Sequence, residues 1–358
     1  MAKFSEVLTI VNGRNQKQVV CDDGKYPIYG SGGIMGYAND YICKAETVVI
    51  GRKGSINKPI FVETPFWNVD TAFGLCANSE KLNPKYLYYF CEKFDFEKLN
   101  TTVTIPSLTK SNLLNVEIPL PNLEKQKQIV ELLDKVTSLI SLRKQQLAKL
   151  DELVKARFVE MFGDPIRNEK GWNTYTLAEM CDGIGDGLHG TPEYDENGEY
   201  PFINGNNLIS GIIQINPSTK KVNKKTYEKH YIKISQNAIL LSINGTLGRI
   251  AFYNSEQVML GKSACYCNLR DEVNRIFVYN IMKTDAFARY LEDNATKSTI
   301  KNVGLKAIRK YRLIMPPIPL QNQFSAFVER VDQQKQTVQQ SLEKLEFMKK
   351  ALMQEYFG

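Results

Sequence analysis

The chain has 358 residues, 43% of them apolar, with 46 Lys and Arg against 39 Asp and Glu and a net charge of +7. That length makes two domains the starting expectation, and that apolar content excludes a mostly disordered chain. The basic excess is mild: it suits a polyanionic partner without requiring one. Seven cysteines without framework spacing read as reduced thiols, a cytosolic pattern. Met1-Ala2-Lys3-Phe4-Ser5-Glu6 carries no apolar signal region, and no apolar run reaches the roughly 18 residues of a membrane span. A cytoplasmic protein without a membrane partner is expected.

In chain order, Asp22-Asp23-Gly24-Lys25 is a turn, since no acidic strand precedes it to make a nuclease-like pattern. Residues 26–75 mix Gly, β-branched and aromatic residues in short bursts. Thr47-Val48-Val49-Ile50 and Pro59-Ile60-Phe61-Val62 read as strands around the loop Gly51-Arg52-Lys53-Gly54-Ser55. Asn83-Pro84-Lys85 opens a helix carrying Tyr86, Leu87, Phe90 and Phe94. A long helix follows, about Glu124 to Arg157, and Asp164-Pro165-Ile166 stops it. Gly183-Ile184-Gly185-Asp186-Gly187 is expected to be a surface loop: no helix begins after it, as a nucleotide-binding glycine run requires. Ala238–Ile243, the loop Asn244-Gly245-Thr246-Leu247-Gly248 and Arg249–Phe252 repeat the strand–loop–strand unit, and a helix over about Val273–Leu291 repeats the helix.

The chain states its plan twice. Glu160-Met161-Phe162-Gly163 returns as Glu355-Tyr356-Phe357-Gly358, an offset of 195 residues. The same offset pairs Pro121 with Pro316 and Gln126 with Gln321, and runs without a gap back to Ile105 and Ile300. A period this long marks two copies of one domain-plus-helix unit rather than a solenoid. In the first long helix the apolar positions Ile129, Leu133, Val136, Ile140, Leu147, Leu150, Val154 and Met161 step by four and three, with Arg143 and Arg157 in the same seam. The second helix reads Phe324, Val328, Val331, Val338, Leu342, Leu345, Leu352 and Tyr356, with Lys335 and Lys349 in the seam. This heptad stripe predicts a coiled coil, and the offset charges favour an intramolecular pair. Antiparallel pairing across a pseudo-two-fold axis is the simplest closure.

No catalytic or metal-binding constellation stands out. The only histidines, His189 and His230, have no metal-capable neighbour, and no Asn-Pro-Pro-Tyr-like tetrapeptide for amino-methyl transfer occurs. The polar loops are more telling. Arg52, Lys53 and Lys58 flank Ser55 and Asn57; Asn244, Thr246 and Arg249 hold the matching place; and Asn204, Asn206 and Asn207 lie in one loop. Such residues read base edges or bind phosphate. Each alone is as well explained by a solvated loop; recurrence at matching places points to a shared surface. Lys220–Lys225 is a further basic run that suits a phosphate backbone or plain solvent.

Two variable units, each ended by Pro-x-Leu-x-x-Gln-x-x-Ile and a long helix, resemble the specificity subunits of type I restriction–modification systems. The residues are Pro121-Asn122-Leu123-Glu124-Lys125-Gln126-Lys127-Gln128-Ile129 and, in the second copy, Pro316-Pro317-Ile318-Pro319-Leu320-Gln321-Asn322-Gln323-Phe324. Gly187-Leu188-His189-Gly190-Thr191-Pro192 and the stretch from Phe202 to Leu208 are similar to the opening of a target-recognition domain of that family, which adds His189 to the candidate DNA-binding residues. The first unit lacks the Trp-containing lead-in found near Trp172. The resemblance implies an α+β fold: two β-rich target-recognition domains related by a pseudo-two-fold axis, at 1–121 and 164–315, joined by long spacer helices at 122–163 and 316–358 that pair as an antiparallel coiled coil. It implies a non-catalytic subunit reading split double-stranded DNA, one half-site per domain. Methyltransferase (modification) subunits and a restriction/translocase subunit are the implied partners, and S-adenosylmethionine, ATP and Mg belong to them. The alternative is a coiled-coil interaction protein with two domains for carbohydrate or protein ligands.

Overall fold

The computed structural model describes residues 1–100 and 107–358; Ile105, where the gapless repeat begins, lies outside the described residues. The chain forms two compact units, one of Met1–Leu147 with Thr337–Gly358 and one of Ala148–Gln336.

In the first unit, Thr47–Gly51 lies inside a four-stranded antiparallel sheet ordered Leu8–Asn12, Ala72–Ala77, Thr47–Gly51, Ile60–Val62. Every residue of Thr47–Gly51 is buried, which is why the strand is an apolar run rather than an alternation. A smaller sheet of Gly33–Ala38, Tyr26–Gly30 and Trp67–Asn68 contains one parallel pairing, Ile28 beside Trp67. The second unit repeats both sheets. Cys181–Asp186, Ala264–Leu269, Ala238–Ser242 and Ile250–Phe252 form the antiparallel one. Lys221–Val222, Tyr200–Ile203 and Met259–Leu260 form the smaller one, again with a parallel pairing, Phe202 beside Met259. Two lobes whose sequences align only loosely thus share strand order and pairing sense.

Two expectations fail here. Gly183-Ile184-Gly185-Asp186-Gly187 is not a surface loop: residues 183–186 pair with Asn268, Cys267, Tyr266 and Cys265 as a strand. Its glycines answer to close packing, since a Cβ on Gly185 would lie 2.7 Å from the Tyr266 Oη and one on Gly187 2.0 Å from the Leu260 carbonyl oxygen. The single helix expected over Val273–Leu291 is two, Arg275–Met282 and Asp285–Asp293. Thr284 between them is extended, and its hydroxyl donates to the Ile281 carbonyl at 2.7 Å, taking an acceptor that a continuous helix gives to a backbone N–H.

Each unit has the same hub. The helix Pro84–Lys93 is capped by Asn83, whose side chain accepts from the Lys85 and Tyr86 amides; Asn274 caps Arg275–Met282 in the same way. These caps satisfy N–H groups that have no intrahelical partner. A fully buried glutamine then locks each cap to the start of a long helix. Gln126 Oε1 accepts from the Asn83 amide at 2.8 Å, and its Nε2 donates to the carbonyls of Lys81 (3.0 Å) and Pro121 (2.8 Å). Gln321 Oε1 accepts from the Asn274 amide at 3.0 Å and its Nε2 donates to the Pro316 carbonyl at 2.7 Å. Beside the first lock, the Tyr86 hydroxyl donates to the Pro119 carbonyl at 3.0 Å, and burial pushes its pKa up to about 12.

The long helices run Leu123–Phe162 and Ile318–Phe357, 40 residues each, about 60 Å at about 1.5 Å per residue. Each contributes one segment to each unit, and within each unit the two segments run antiparallel. In the first unit Leu133 shares a core with Met353, and further along Lys144 pairs with Glu346 at 2.8 Å. In the second, Asp151 pairs with Lys335 at 2.6 Å, while Phe162 meets Phe324 with ring centroids 5.4 Å apart. Of the seam charges, Lys335 crosses to the other helix, whereas Lys349 turns to Glu92 at 3.0 Å and the face of Tyr89. Arg157 bonds Glu160 on its own helix and lies over Phe327.

The first helix continues past the expected Arg157 because Phe158 and Phe162 have a seat. Off the heptad seam, they pack against Phe277 at 5.8 and 4.8 Å between centroids. Phe357 does the same in the first unit, against Tyr86 and Phe90 at 5.0 and 6.1 Å. The helix then stops at Asp164, whose carboxylate accepts from the Ile166 and Arg167 amides at 2.7 and 3.2 Å. Those two bonds hold its pKa below the usual carboxylate value.

Candidate nucleic-acid interface

In the first unit the candidate surface grows from the end of the buried strand. Gly51 lets the chain turn back tightly: a Cβ there would lie 2.4 Å from the Ser55 carbonyl oxygen. The loop is anchored by its backbone, since the Arg52 amide donates to the Thr71 carbonyl at 2.8 Å and the Arg52 carbonyl accepts from the Leu108 amide at 2.9 Å. Arg52, Lys53 and Lys58 are exposed, and among the described residues none of them has an ion-pair partner. Charges tied down by backbone yet left unpaired are available to an anion. Ser55 is half-buried. Asn57 is occupied internally: its Nδ2 donates to Asp95 at 2.9 Å and its Oδ1 accepts from the Phe96 amide at 2.7 Å.

In the second unit Ser242 staples the matching loop. Its hydroxyl donates to the Thr246 carbonyl and accepts from the Arg249 amide at 2.9 Å. Asn244 Nδ2 donates to Asn302 at 3.3 Å, and Thr246 is exposed. The Arg249 guanidinium donates to the Asn206 carbonyl at 3.2 Å, which joins this loop to the Asn204–Asn207 turn. Within that turn Asn204 accepts from the Ser263 hydroxyl at 2.8 Å. Asn207 is buried, accepting from the Asn204 amide at 3.0 Å and donating to the Gln214 carbonyl at 3.0 Å. Asn206 keeps an exposed side chain. His189 is exposed, with Nε2 2.8 Å from Asp186 Oδ2. Its neighbour Leu188 bridges to Gly261, where a Cβ would meet Asn204 Oδ1. His189, Asn204, Asn206, Thr246 and Arg249 therefore share one end of the second unit, while Asn204, Asn207 and Asn244 spend side-chain atoms on building it, as Asn57 does in the first unit.

The Lys220–Lys225 run begins beside that turn, since the Lys220 carbonyl accepts from the Phe202 amide at 2.8 Å and Lys221 pairs with Pro201. Lys220 sits over the Tyr194 ring at 6.0 Å and Lys224 pairs with Glu228 at 3.8 Å. Tyr200 and Tyr227 stack nearby, centroids 4.0 Å apart, and burial raises the pKa of Tyr227.

Sequence reasoning missed a second component beside both loops. Tyr26–Gly30 and Gly33–Ala38 form a hairpin whose turn packs on the end of the central strand, a Cβ on Gly51 lying 3.1 Å from Ser31 Cβ. In the second unit the strand that matches Tyr26–Gly30, Tyr200–Ile203, is likewise followed by a segment that packs on the end of the central strand, a Cβ on Gly205 lying 2.6 Å from Ser242 Cβ; that segment carries a hairpin of its own, Leu208–Ile209 with Ile212–Ile213. Leu208, Ile209, Arg249, Tyr279 and Lys283 line a recess of about 360 Å³ between that hairpin and the loop. The signal was present in Pro27-Ile28-Tyr29-Gly30 against Pro201-Phe202-Ile203-Asn204, two strands of the same pattern.

The model of the type I restriction modification DNA specificity domain matches residues 1–152 and again residues 169–346. The chain belongs to this family. A putative type I restriction enzyme specificity subunit of Haemophilus influenzae is 24% identical, over 92% of this chain and 86% of its own. The type I restriction enzyme MjaIX specificity subunit of Methanocaldococcus jannaschii is also 24% identical, over 78% and 68%. The fold is that of the crystallised type I S subunit of M. genitalium, with a TM-score of 0.64 over 100% of this chain and 95% of the other at 17% identity. Each matched segment contains one of the two lobes that share strand order and pairing sense in their two sheets. Among the described residues no group of three or more His, Cys, Asp or Glu side chains could hold a metal ion. No helix among them is long and apolar enough to cross a membrane.

Proposed function

We propose that this chain is the DNA-reading subunit of a type I restriction–modification complex, working in the cytoplasm and carrying no chemistry of its own. Each target-recognition domain reads one half of a split, asymmetric duplex site through the major groove. Arg52, Lys53 and Lys58 act in one domain and His189, Asn206, Thr246 and Arg249 in the other, supported by the amides that shape their loops. The spacer helices set the gap between the half-sites and receive the modification subunits; a restriction/translocase subunit joins that assembly. S-adenosylmethionine, ATP and Mg are handled by those partners.

One observation carries the reading. The same polar loop, at the end of the same central strand and beside the segment that leaves the same parallel-paired strand, occurs once in each of two lobes that share both their sheets. A two-part ligand with a repeating polyanionic backbone suits two such surfaces, and the basic loops suit its phosphates. The test is the methylated sequence motifs of the source organism with and without this gene. Loss of one split motif on deletion is expected; an unchanged set of methylated motifs would refute the reading.

A further inference from the structure

Each lobe holds a pair of exposed apolar side chains in the segment that packs beside its basic loop. On the Gly33–Ala38 strand, Ile34 and Met35 are 55% and 63% exposed. In the second unit Ile209 and Ile212 are 39% and 59% exposed, on either side of a tight turn where Ser210 and Gly211 both have positive φ. Exposed apolar residues scattered singly carry no meaning, but a pair on the connection that leaves the matching strand and packs on the end of the central strand in each of two diverged lobes does. Glycines surround the first pair: Cβ atoms on Gly32 and Gly33 would meet nothing, so the chain stays slim where another body could approach. Cations stand by both segments: Arg249 and Lys283 share a recess with Ile209, and Arg52 and Lys53 follow Gly51, the strand end on which Ser31 packs.

We infer that these hairpin tips enter the DNA groove and make apolar contact with bases, while the neighbouring cations hold the phosphates. This rests on the DNA-reading function proposed above. The chemistry is a division of labour. A cation on phosphate adds affinity to every sequence and releases counterions. An apolar side chain has no attraction to phosphate but packs against thymine methyl groups or wedges at a base step. Ile34 and Met35 thus contribute to choice of sequence in the first half-site, and Ile209 and Ile212 in the second.

The test uses the complete complex with its modification subunits. The probes are duplexes carrying the split motif methylated in the source organism, intact or with one half-site scrambled. Ile34→Ser with Met35→Ser should weaken binding of the intact duplex about tenfold, the cost of about one mismatched base pair. Binding to the duplex with its first half-site scrambled, and the slope of log affinity against log salt, should not change. Ile212→Ser should give the mirror result at the second half-site. Lys53→Gln, in contrast, should weaken all duplexes equally and reduce the salt slope by about one. Because the four side chains are exposed, thermal unfolding of the variants should match the parent. Equal weakening on intact and scrambled duplexes, no weakening, or loss of the modification subunits with DNA binding intact would each overturn the inference. Failure of the parent complex to prefer the intact duplex would instead overturn the DNA-reading function itself.

Discussion

Replacing Gln126 by Glu tests whether the glutamine lock holds the first recognition domain to its helix. The change keeps the acceptor that receives the Asn83 amide at 2.8 Å but removes the amide donor that serves two carbonyls, at 3.0 and 2.8 Å. Each buried acceptor left unpaired costs about 1–3 kcal/mol, so about 4 kcal/mol is expected at pH 8. The new carboxyl faces two carbonyl oxygens, so its folded pKa lies above the unfolded value of about 4.3. A protonated carboxyl restores one donor. The variant is therefore most stable below about pH 4.3 and loses stability as pH rises through the folded pKa, at up to about 1.4 kcal/mol per pH unit. The chain has two tryptophans, Trp67 in one unit and Trp172 in the other. In a Trp172→Phe background, fluorescence during urea unfolding reports the first unit alone. A loss of less than about 1 kcal/mol at pH 8, against the range for an unpaired buried group, or the same loss at pH 5 and pH 8, would refute the reasoning.

Phe162→Ala removes a fully buried ring packed on Phe277 and Phe324 and should cost the second unit about 3–5 kcal/mol, read through Trp172. For Tyr86 burial lifts the folded pKa to about 12 from the ordinary phenol value of about 10, so its contribution is whole below pH 10 and fades as pH climbs toward 12. Tyr86→Phe should flatten the alkaline loss of stability across that window, and parallel curves would contradict this. Four residues inserted after Leu147, with four after Leu342, lengthen each helix by about 6 Å. The unread gap in the methylated motif should then shift by one or two base pairs while both half-sites persist; an unchanged gap would show that the helices do not set it.

What could be read from the residues depended on how rigidly chemistry is tied to position. Gln126 holds three backbone groups and Gln321 the counterparts of two of them, so the proline–glutamine–helix segment repeats at a constant 195-residue offset. The lobes tolerate insertions between strands. Pro27 and Pro201 lie 174 apart while Gly54 and Gly245 lie 191 apart, and no single offset exposes the shared sheets. Gly183 and Gly185 misled because glycine marks a loop only when nothing else requires it; here the Tyr266 ring does. Among the candidate reading residues, Asn57 and Asn207 also make the hydrogen bonds that hold their loops together. An amide's partners lie far off in sequence, at Asp95 for Asn57 and Gln214 for Asn207, so no local pattern distinguishes the two roles.

The seat that Tyr86 and Phe90 make for Phe357 has a consequence during synthesis. The first unit is completed by Thr337–Gly358, and the 189 residues of Ala148–Gln336 are made before that segment. At about 5–20 residues per second the ribosome needs about 10 to 40 seconds for that stretch. Throughout that interval the nascent first lobe presents an uncovered aromatic cleft, a natural holding point for a chaperone. The second lobe meets its own helix segment, ending in Phe158 and Phe162, before its first strand is even translated. The two lobes, alike in fold, are thus born in opposite order: one waits for its lid and the other is built beneath it.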